Sequence, residues 1–256
     1  GAGQLGVWVS DGTAAGTKQL SAAVPVVDGP QSAFLFEGSL FFAAYDAKAG
    51  TELWMSGGSS ADTLRIADIN PGPGDSAPTS LRDCYGVLCF VADDGAHGRE
   101  LMALTNSGAV LIKDVRPGAG SGVRRVLGGT YRGWYFIGDD GVSGQELWKT
   151  DGSAAGTVRV KNIAADVRGM QLSRGNSAAV AALEDTIVFG VDGGSPPMQP
   201  TLAEHPTANG DGELWVSNGA LTGTRPITTF AYQYGGATPH GFASTPGGAF
   251  FVGIEP

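Results

Sequence analysis

Five strings of one design run along the chain, and a chain built from copies of a short unit has few folds open to it. They are VWVSDGTAAGT at Val7–Thr17, ELWMSGGSSADT at Glu52–Thr63, ELMALTNSGA at Glu100–Ala109, ELWKTDGSAAGT at Glu146–Thr157 and ELWVSNGALTGT at Glu213–Thr224. Trp8, Trp54, Met102, Trp148 and Trp215 hold one equivalent position. The first three intervals between them lie between forty-five and fifty residues, and the last is longer through an insertion. A unit of that size cannot bury its own apolar face, so neighbouring copies must pack on one another.

Around each string the apolar runs are short, β-branched or aromatic, and separated by Gly-rich turns, which is a strand pattern rather than a helical one. Four kinds of strand recur in fixed order. The first precedes a tight turn (SAFLFEG, SLRDCYG, VLGGTYRG), and the second is aromatic (LFFAA, VLCFVA, WYFIG, TIVFGV, AFFVG). The third is the ELW strand, and the fourth carries Lys or Arg (TLRIADI, AVLIKDV, TVRVKNI, TRPITTF, TKQLSAA). Connectors such as NPGPGDSAPTS and RPGAGSG then lead to the next unit. Four antiparallel strands and a longer connector make a propeller blade. The fold expected is therefore an all-β propeller of five four-stranded blades in a single domain over residues 1–256. The expected blades cover residues 32–69, 80–115, 124–163 and 178–230, with 240–256 joined to 4–21. In that reading the terminal strands close the ring and remove the exposed edges of an open array. The start at Gly1, in mid-repeat and without Met, suggests a processed chain or a segment of a larger protein.

Gly at 42 copies in 256 residues exceeds twice the average usage, and most of these glycines fall in turns that need positive φ. The formal charge of −9 excludes a nucleic-acid partner as the natural reading, since a phosphate backbone demands clustered Lys and Arg. No apolar run reaches the length of a membrane span, so membrane insertion of this segment is not expected. Cys84 and Cys89 flank Tyr85-Gly86, a two-residue hairpin turn that sets both on one strand face, offset diagonally. That placement admits a disulfide as well as two buried thiols. Two cysteines are too few for a zinc site.

The strings GQELWKTDGSAAGTVRVKNI and VADDGAHGRELMALTNSGAVLIKDVRPGAGSG resemble the ELWxxDGT, hyalin-like repeat family, and the likeness covers nearly the whole chain. The resemblance implies a secreted or cell-surface protein built of many modules, associated with adhesion or extracellular structure and without a general catalytic motif. Similar repeats occur in bacterial surface proteins and in algal extracellular proteins, including those of the mastigoneme type, so the resemblance implies an extracellular or cell-surface location, with association to the flagellum as one form of it. The chain departs from the family pattern where Gly6 stands for Glu, Met102 for Trp, and Gly57-Gly58 for Asp-Gly.

Period-two alternation puts Glu52, Glu100, Glu146 and Glu213 on the face of the Trp or Met two residues on. There each carboxylate is expected to hold backbone N–H groups of the preceding Gly-rich loop. Asp93, Asp94 and Glu100, and likewise Asp139, Asp140 and Glu146, place carboxylates within eight residues, as calcium favours. They lack EF-hand spacing, so Asp-Gly turn chemistry is the preferred reading and no metal or other cofactor is expected. His97, His205 and His240 lie in separate connectors without ligand spacing, and no serine sits in a nucleophile elbow. The Trp column is expected to pack between blades rather than stack on sugars.

The insertion Asp192–Gly212 carries Pro196, Pro197, Met198, Pro200, Leu202, His205 and Pro206, and is the candidate partner-binding loop. Restricted backbone there reduces the entropy lost on docking. The function expected is a non-enzymatic, extracellular structural or protein-interaction module of a surface or filament assembly, whose partners are other extracellular subunits. The alternative is a carbohydrate-binding propeller that engages glycans through repeated sites.

Overall fold

The computed structural model describes residues 6–21, 33–130, 133–163, 171–172, 180–192, 212–230 and 240–252. Among them every regular element is a strand. The alternation of apolar and polar residues builds four complete antiparallel sheets and two hairpins.

The opening hairpin is β1 (Val7–Val9) and β2 (Lys18–Ser21). The first complete sheet follows in chain order: β3 (Ala33–Phe36), β4 (Ser39–Asp46), β5 (Gly50–Ser56) and β6 (Leu64–Arg65). The second is β7 (Thr79–Asp83), β8 (Leu88–Asp93), β9 (Arg99–Thr105) and β10 (Gly108–Lys113). The third is β11 (Val123–Thr130), β12 (Gly133–Asp139), β13 (Gln145–Thr150) and β14 (Val158–Lys161).

The fourth sheet departs from the expected boundary at residue 178. Its first-strand position is filled twice along the edge of β17 (Thr186–Asp192), by β15 (Gln171–Leu172) and by β16 (Val180–Leu183). It continues with β18 (Gly212–Ser217) and β19 (Arg225–Phe230). β20 (His240–Thr245) and β21 (Gly248–Val252) form the closing hairpin. The two terminal hairpins are separate two-stranded sheets, so the expected pairing of the aromatic last strand with the Val7 copy is not among the described pairings.

One register runs through all four complete sheets. Phe42 stands opposite Trp54, Phe90 opposite Met102, Phe136 opposite Trp148 and Phe189 opposite Trp215. An irregularity recurs where the third strand meets the fourth, between Leu147 and Trp148 and between Leu214 and Trp215. It appears again in the opening hairpin between Val7 and Trp8, so β1–β2 is a third-and-fourth-strand pair. Such bulges raise the local twist of a strand and end its regular pairing.

The chain divides into two compact units, one of Gly1–Val123 with Gly152–Ala154, the other of Arg124–Asp151 with Ala155–Pro256. Each has its own core, built by one rule: the Trp or Met face of a sheet packs on the Leu face of the sheet before it. In the first unit Met102 and Phe90 lie against Phe41 and Leu53, while Trp54 and Phe42 lie against Val7 and Leu20 of the opening hairpin. In the second unit Trp215 and Phe189 lie against Tyr135, Ile137 and Leu147. The Leu face of the fourth sheet, with Val188 and Leu214, is covered by Phe242 and Phe251 of the closing hairpin.

Candidate functional site

The polar residues that recur gather at the two ends of the sheets, and their geometry separates framework from surface. At the end where the fourth strand leaves, the recurrent glutamates are buried. Glu52 Oε2 accepts the Ile69 N–H at 2.8 Å and the Ser76 hydroxyl at 2.8 Å. Its Oε1 accepts the N–H groups of Ser76 at 3.3 Å and Asn70 at 3.4 Å. Glu100 repeats the arrangement, accepting from the N–H groups of Val115 at 3.1 Å, Arg116 at 3.4 Å and Gly122 at 2.6 Å. Glu146 accepts from the Ile163 N–H at 2.6 Å. Each of these three carboxylates thus clamps the connector that leaves its own sheet.

This corrects the expectation that the glutamates hold the preceding Gly-rich loop. That loop closes on its own aspartates. Asp93 accepts the Gly95 N–H, and Asp94 accepts those of Ala96 and His97. Asp139 accepts from Gly141, and Asp140 from Val142 and Ser143. With its amides satisfied the loop needs no glutamate, and the carboxylate is left to the amides of the departing connector. A second tie reinforces the clamp: the N–H of Thr51 donates to Asp75 at 2.6 Å, and that of Arg99 to Ser121 at 3.1 Å. The glycine just before this point is required. Gly98 has φ +69°, and a Cβ there would stand 2.7 Å from the Ser121 amide nitrogen.

Burial pushes the carboxyl of Glu52 above its ordinary pKa, and that of Glu100 up to about 7, against the opposing pull of the amides. His97 is held above its ordinary value by the hydrogen bond and charge of Asp94, 2.7 Å away. In the two clusters weighed for calcium the aspartates accept backbone N–H groups of their own turn and the glutamates face a connector. Among the described residues no group of three or more His, Cys, Asp or Glu is placed to hold a metal ion.

At the opposite end lies a network that the sequence did not announce. The hydroxyl two residues after each Trp meets a Thr hydroxyl seven residues on: Ser10 with Thr17 at 2.8 Å, and Ser56 with Thr63, Thr150 with Thr157 and Ser217 with Thr224, each at 2.7 Å. Within the loop a side chain caps the amide of its third residue. Asp11 accepts from Thr13 N–H and Asn218 from Ala220 N–H, at 2.9 and 3.0 Å. Gly16 and Gly223 stand where a Cβ would overlap that cap.

The second copy, which lacks Asp at the capping position, meets the same need from the other side of the loop. There Asp62 accepts the Ser59 N–H at 2.8 Å, and Gly57 takes the place the cap would fill. Asp and Gly have exchanged positions. The third copy omits the loop, with Thr105 paired to Gly108 across a two-residue turn. The spacing of seven between hydroxyl residues was the available signal for this network.

Trp54, Trp148 and Trp215 are buried, and Phe136 stacks on Trp148 at 6.1 Å between centroids. Trp215 Nε1 donates to Glu213 Oε2 at 2.7 Å, so Glu213 shares the face of its Trp as the alternation implies. Trp8 differs, with 58% of its surface exposed. Cys84 and Cys89 are joined in a disulfide with a Cα–Cα distance of 5.9 Å. Tyr85 (φ 59°) and Gly86 (φ 87°) form the intervening turn, both central residues in the left-handed region as a primed hairpin turn requires. The candidate partner loop (Pro196, Pro197, Met198, Pro200, Leu202, His205, Pro206) lies outside the described residues.

No family model matches the chain, and no curated protein matches it. Among solved structures, a TolB candidate from Agrobacterium tumefaciens is similar to it at 12% identity over 85% of this chain and 72% of its own. The TM-score is 0.38, a likeness too loose to inform function.

Proposed function

We propose that the protein is a non-enzymatic structural or protein-interaction module of an extracellular surface or filament assembly. In this reading it is a propeller of five blades, four of them complete sheets and the fifth made of the two terminal hairpins. The observation that carries the proposal is the use made of the repeated polar residues. The glutamates clamp connectors and the loop aspartates, asparagine and hydroxyls cap their own backbone, so what recurs is framework and what varies is displayed surface. The Cys84–Cys89 disulfide suits an oxidising compartment. The resemblance to ELWxxDGT repeats supports a cell-surface, flagellum-associated setting with other extracellular subunits as partners.

The experiment is surface labelling of intact source cells with a membrane-impermeant amine reagent, followed by cross-linking and identification of neighbours. Labelling from outside, with structural proteins recovered as neighbours, is the expected result. A protein reached only after lysis refutes the location. A purified protein that binds a defined glycan on an array, with no protein neighbour on cells, favours the carbohydrate-binding alternative.

A further inference from the structure

The loop after Trp215 carries asparagine where two of its sibling loops carry aspartate. Asp11 Oδ1 accepts the Thr13 N–H at 2.9 Å, and Asn218 Oδ1 accepts the Ala220 N–H at 3.0 Å from the same place in the repeat. Asp151 holds the equivalent position in the fourth copy. In all three loops a Cβ on Gly16, Gly156 or Gly223 would overlap the side chain at that position. The loop favours a charged acceptor there. The backbone N–H of Thr13 holds the Asp11 carboxyl below its ordinary pKa.

Asn218 is exposed and precedes Gly219, the one Asn-Gly pair among the described residues. With no Cβ on Gly219, no side chain screens its amide nitrogen from the Asn218 carboxamide. The Ala220 N–H that holds Oδ1 draws charge from Cγ and is placed to stabilise an oxyanion formed there. The Gly219 N–H donates to Ser217 Oγ at 3.1 Å, a bond that must open as the nitrogen loses its proton, so the fresh chain carries the amide.

We infer that Asn218 is a self-modification site, at which the folded chain converts asparagine to aspartate and brings this loop to the chemistry of the first and fourth copies. Base removes the Gly219 amide proton, and the nitrogen attacks Asn218 Cγ. The new N–Cγ bond closes a succinimide, the Cγ–Nδ2 bond breaks, and ammonia leaves with a proton from water. Water then adds at Cγ and breaks the bond to the Gly219 nitrogen, which regains its proton, leaving a carboxylate on an unaltered backbone. Water adding at the main-chain carbonyl would give isoaspartate instead, with a carbon added to the peptide path. The fold opposes that outcome. Gly219 (φ +79°) is buried, and a Cβ there would stand 2.8 Å from Tyr135 Oη and 3.0 Å from Lys149 Cδ, so a displaced main chain has no room. Opening at Cγ returns the capping oxygen to the Ala220 N–H with a charge that strengthens the bond.

The test uses the full chain in an Asn209→Gln background, since Asn209-Gly210 is a second such pair. It is incubated in mildly alkaline buffer, folded and in parallel in concentrated urea, and the loop peptide is read by electron-transfer fragmentation, which separates aspartate from isoaspartate. The folded chain should lose the amide at Asn218 and give mainly aspartate, whereas the unfolded chain gives mainly isoaspartate. The aged folded chain should co-elute on anion exchange with an Asn218→Asp variant, and both should melt above the fresh parent. An amide that survives in the folded chain while the unfolded chain loses it overturns the inference. So does isoaspartate as the main product of the folded chain, or an Asn218→Asp variant that melts below the parent.

Discussion

Removing the Glu52 carboxylate tests the clamp directly. In Glu52→Ala the buried Ile69 N–H loses its acceptor, which costs about 1–3 kcal/mol for an unsatisfied buried donor. Ser76 fares better, because its N–H and hydroxyl also lie 3.0 and 3.1 Å from the Thr51 carbonyl, so its share is about 1 kcal/mol. The side-chain methylene lost from a buried site adds about 0.8 kcal/mol. Release of a carboxylate from a desolvated site offsets part of the total. The expected cost is about 3 kcal/mol, read by urea denaturation with the slope compared to that of the parent chain. Glu52→Gln keeps one oxygen for Ile69 and Ser76, and turns its amide toward the weaker 3.3 and 3.4 Å donors, for a cost of about 1 kcal/mol. Ser76→Ala should cost less when combined with Glu52→Ala than in the parent, because the two residues share one interaction while the hydroxyl's contact with the Thr51 carbonyl is lost in both backgrounds. A Glu52→Ala protein within about 0.5 kcal/mol of the parent, the usual scatter of a neutral substitution, or Gln as harmful as Ala, would show that the carboxylate–amide clamp does not hold the connector.

Because Glu100 titrates near 7 when folded and at an ordinary carboxyl value when unfolded, the folded state holds the extra proton between those values. Stability should therefore fall as pH rises from about 4.5 to 7 and level off above, and Glu100→Gln should flatten that slope in melts across the range. Asp62→Gly strips the cap from the second loop and should lower its melting temperature, while adding Gly57→Asp restores the arrangement of the first copy and should recover the loss; a double variant no better than the single one refutes the exchange. Breaking the Cys84–Cys89 bond in a Cys84→Ser/Cys89→Ser variant should cost about 2 kcal/mol by the chain-entropy estimate for so short a loop, checked by denaturation with and without reductant. Replacing residues 195–208 with a short Gly/Ser linker should leave the melting temperature nearly unchanged and weaken partner capture, since long surface loops cost little to close.

Period-two alternation made the faces legible: Glu213 does share a side with Trp215, and Phe42, Phe90, Phe136 and Phe189 all meet the Trp or Met column. Alternation says nothing of which neighbouring segment folds back over a face, so the glutamates were matched to the loop nearest in sequence. Their true partners lie up to 24 residues downstream. Reading the copies column by column also hid the exchange at Gly57 and Asp62, because the second loop looked depleted when its carboxylate had only changed sides. The doubled first strand of the fourth sheet was missed because a two-residue strand such as Gln171–Leu172 carries no period. The terminal hairpins were foreseen as halves of one blade; the opening one carries the bulge of a third-and-fourth-strand pair, and no pairing between the two hairpins is among the described ones.

The clamps also bear on how the chain would carry load. Glu52, Glu100 and Glu146 each fasten the outgoing connector to the sheet it has just left, so a pull on the chain meets carboxylate–amide bonds before it reaches the next sheet. Tension would accordingly be shed in discrete extensions, one repeat in length, each released when a single glutamate lets go. Optical-tweezers traces of the full chain should show that staircase, with the step assigned to the first sheet occurring at lower force in Glu52→Ala.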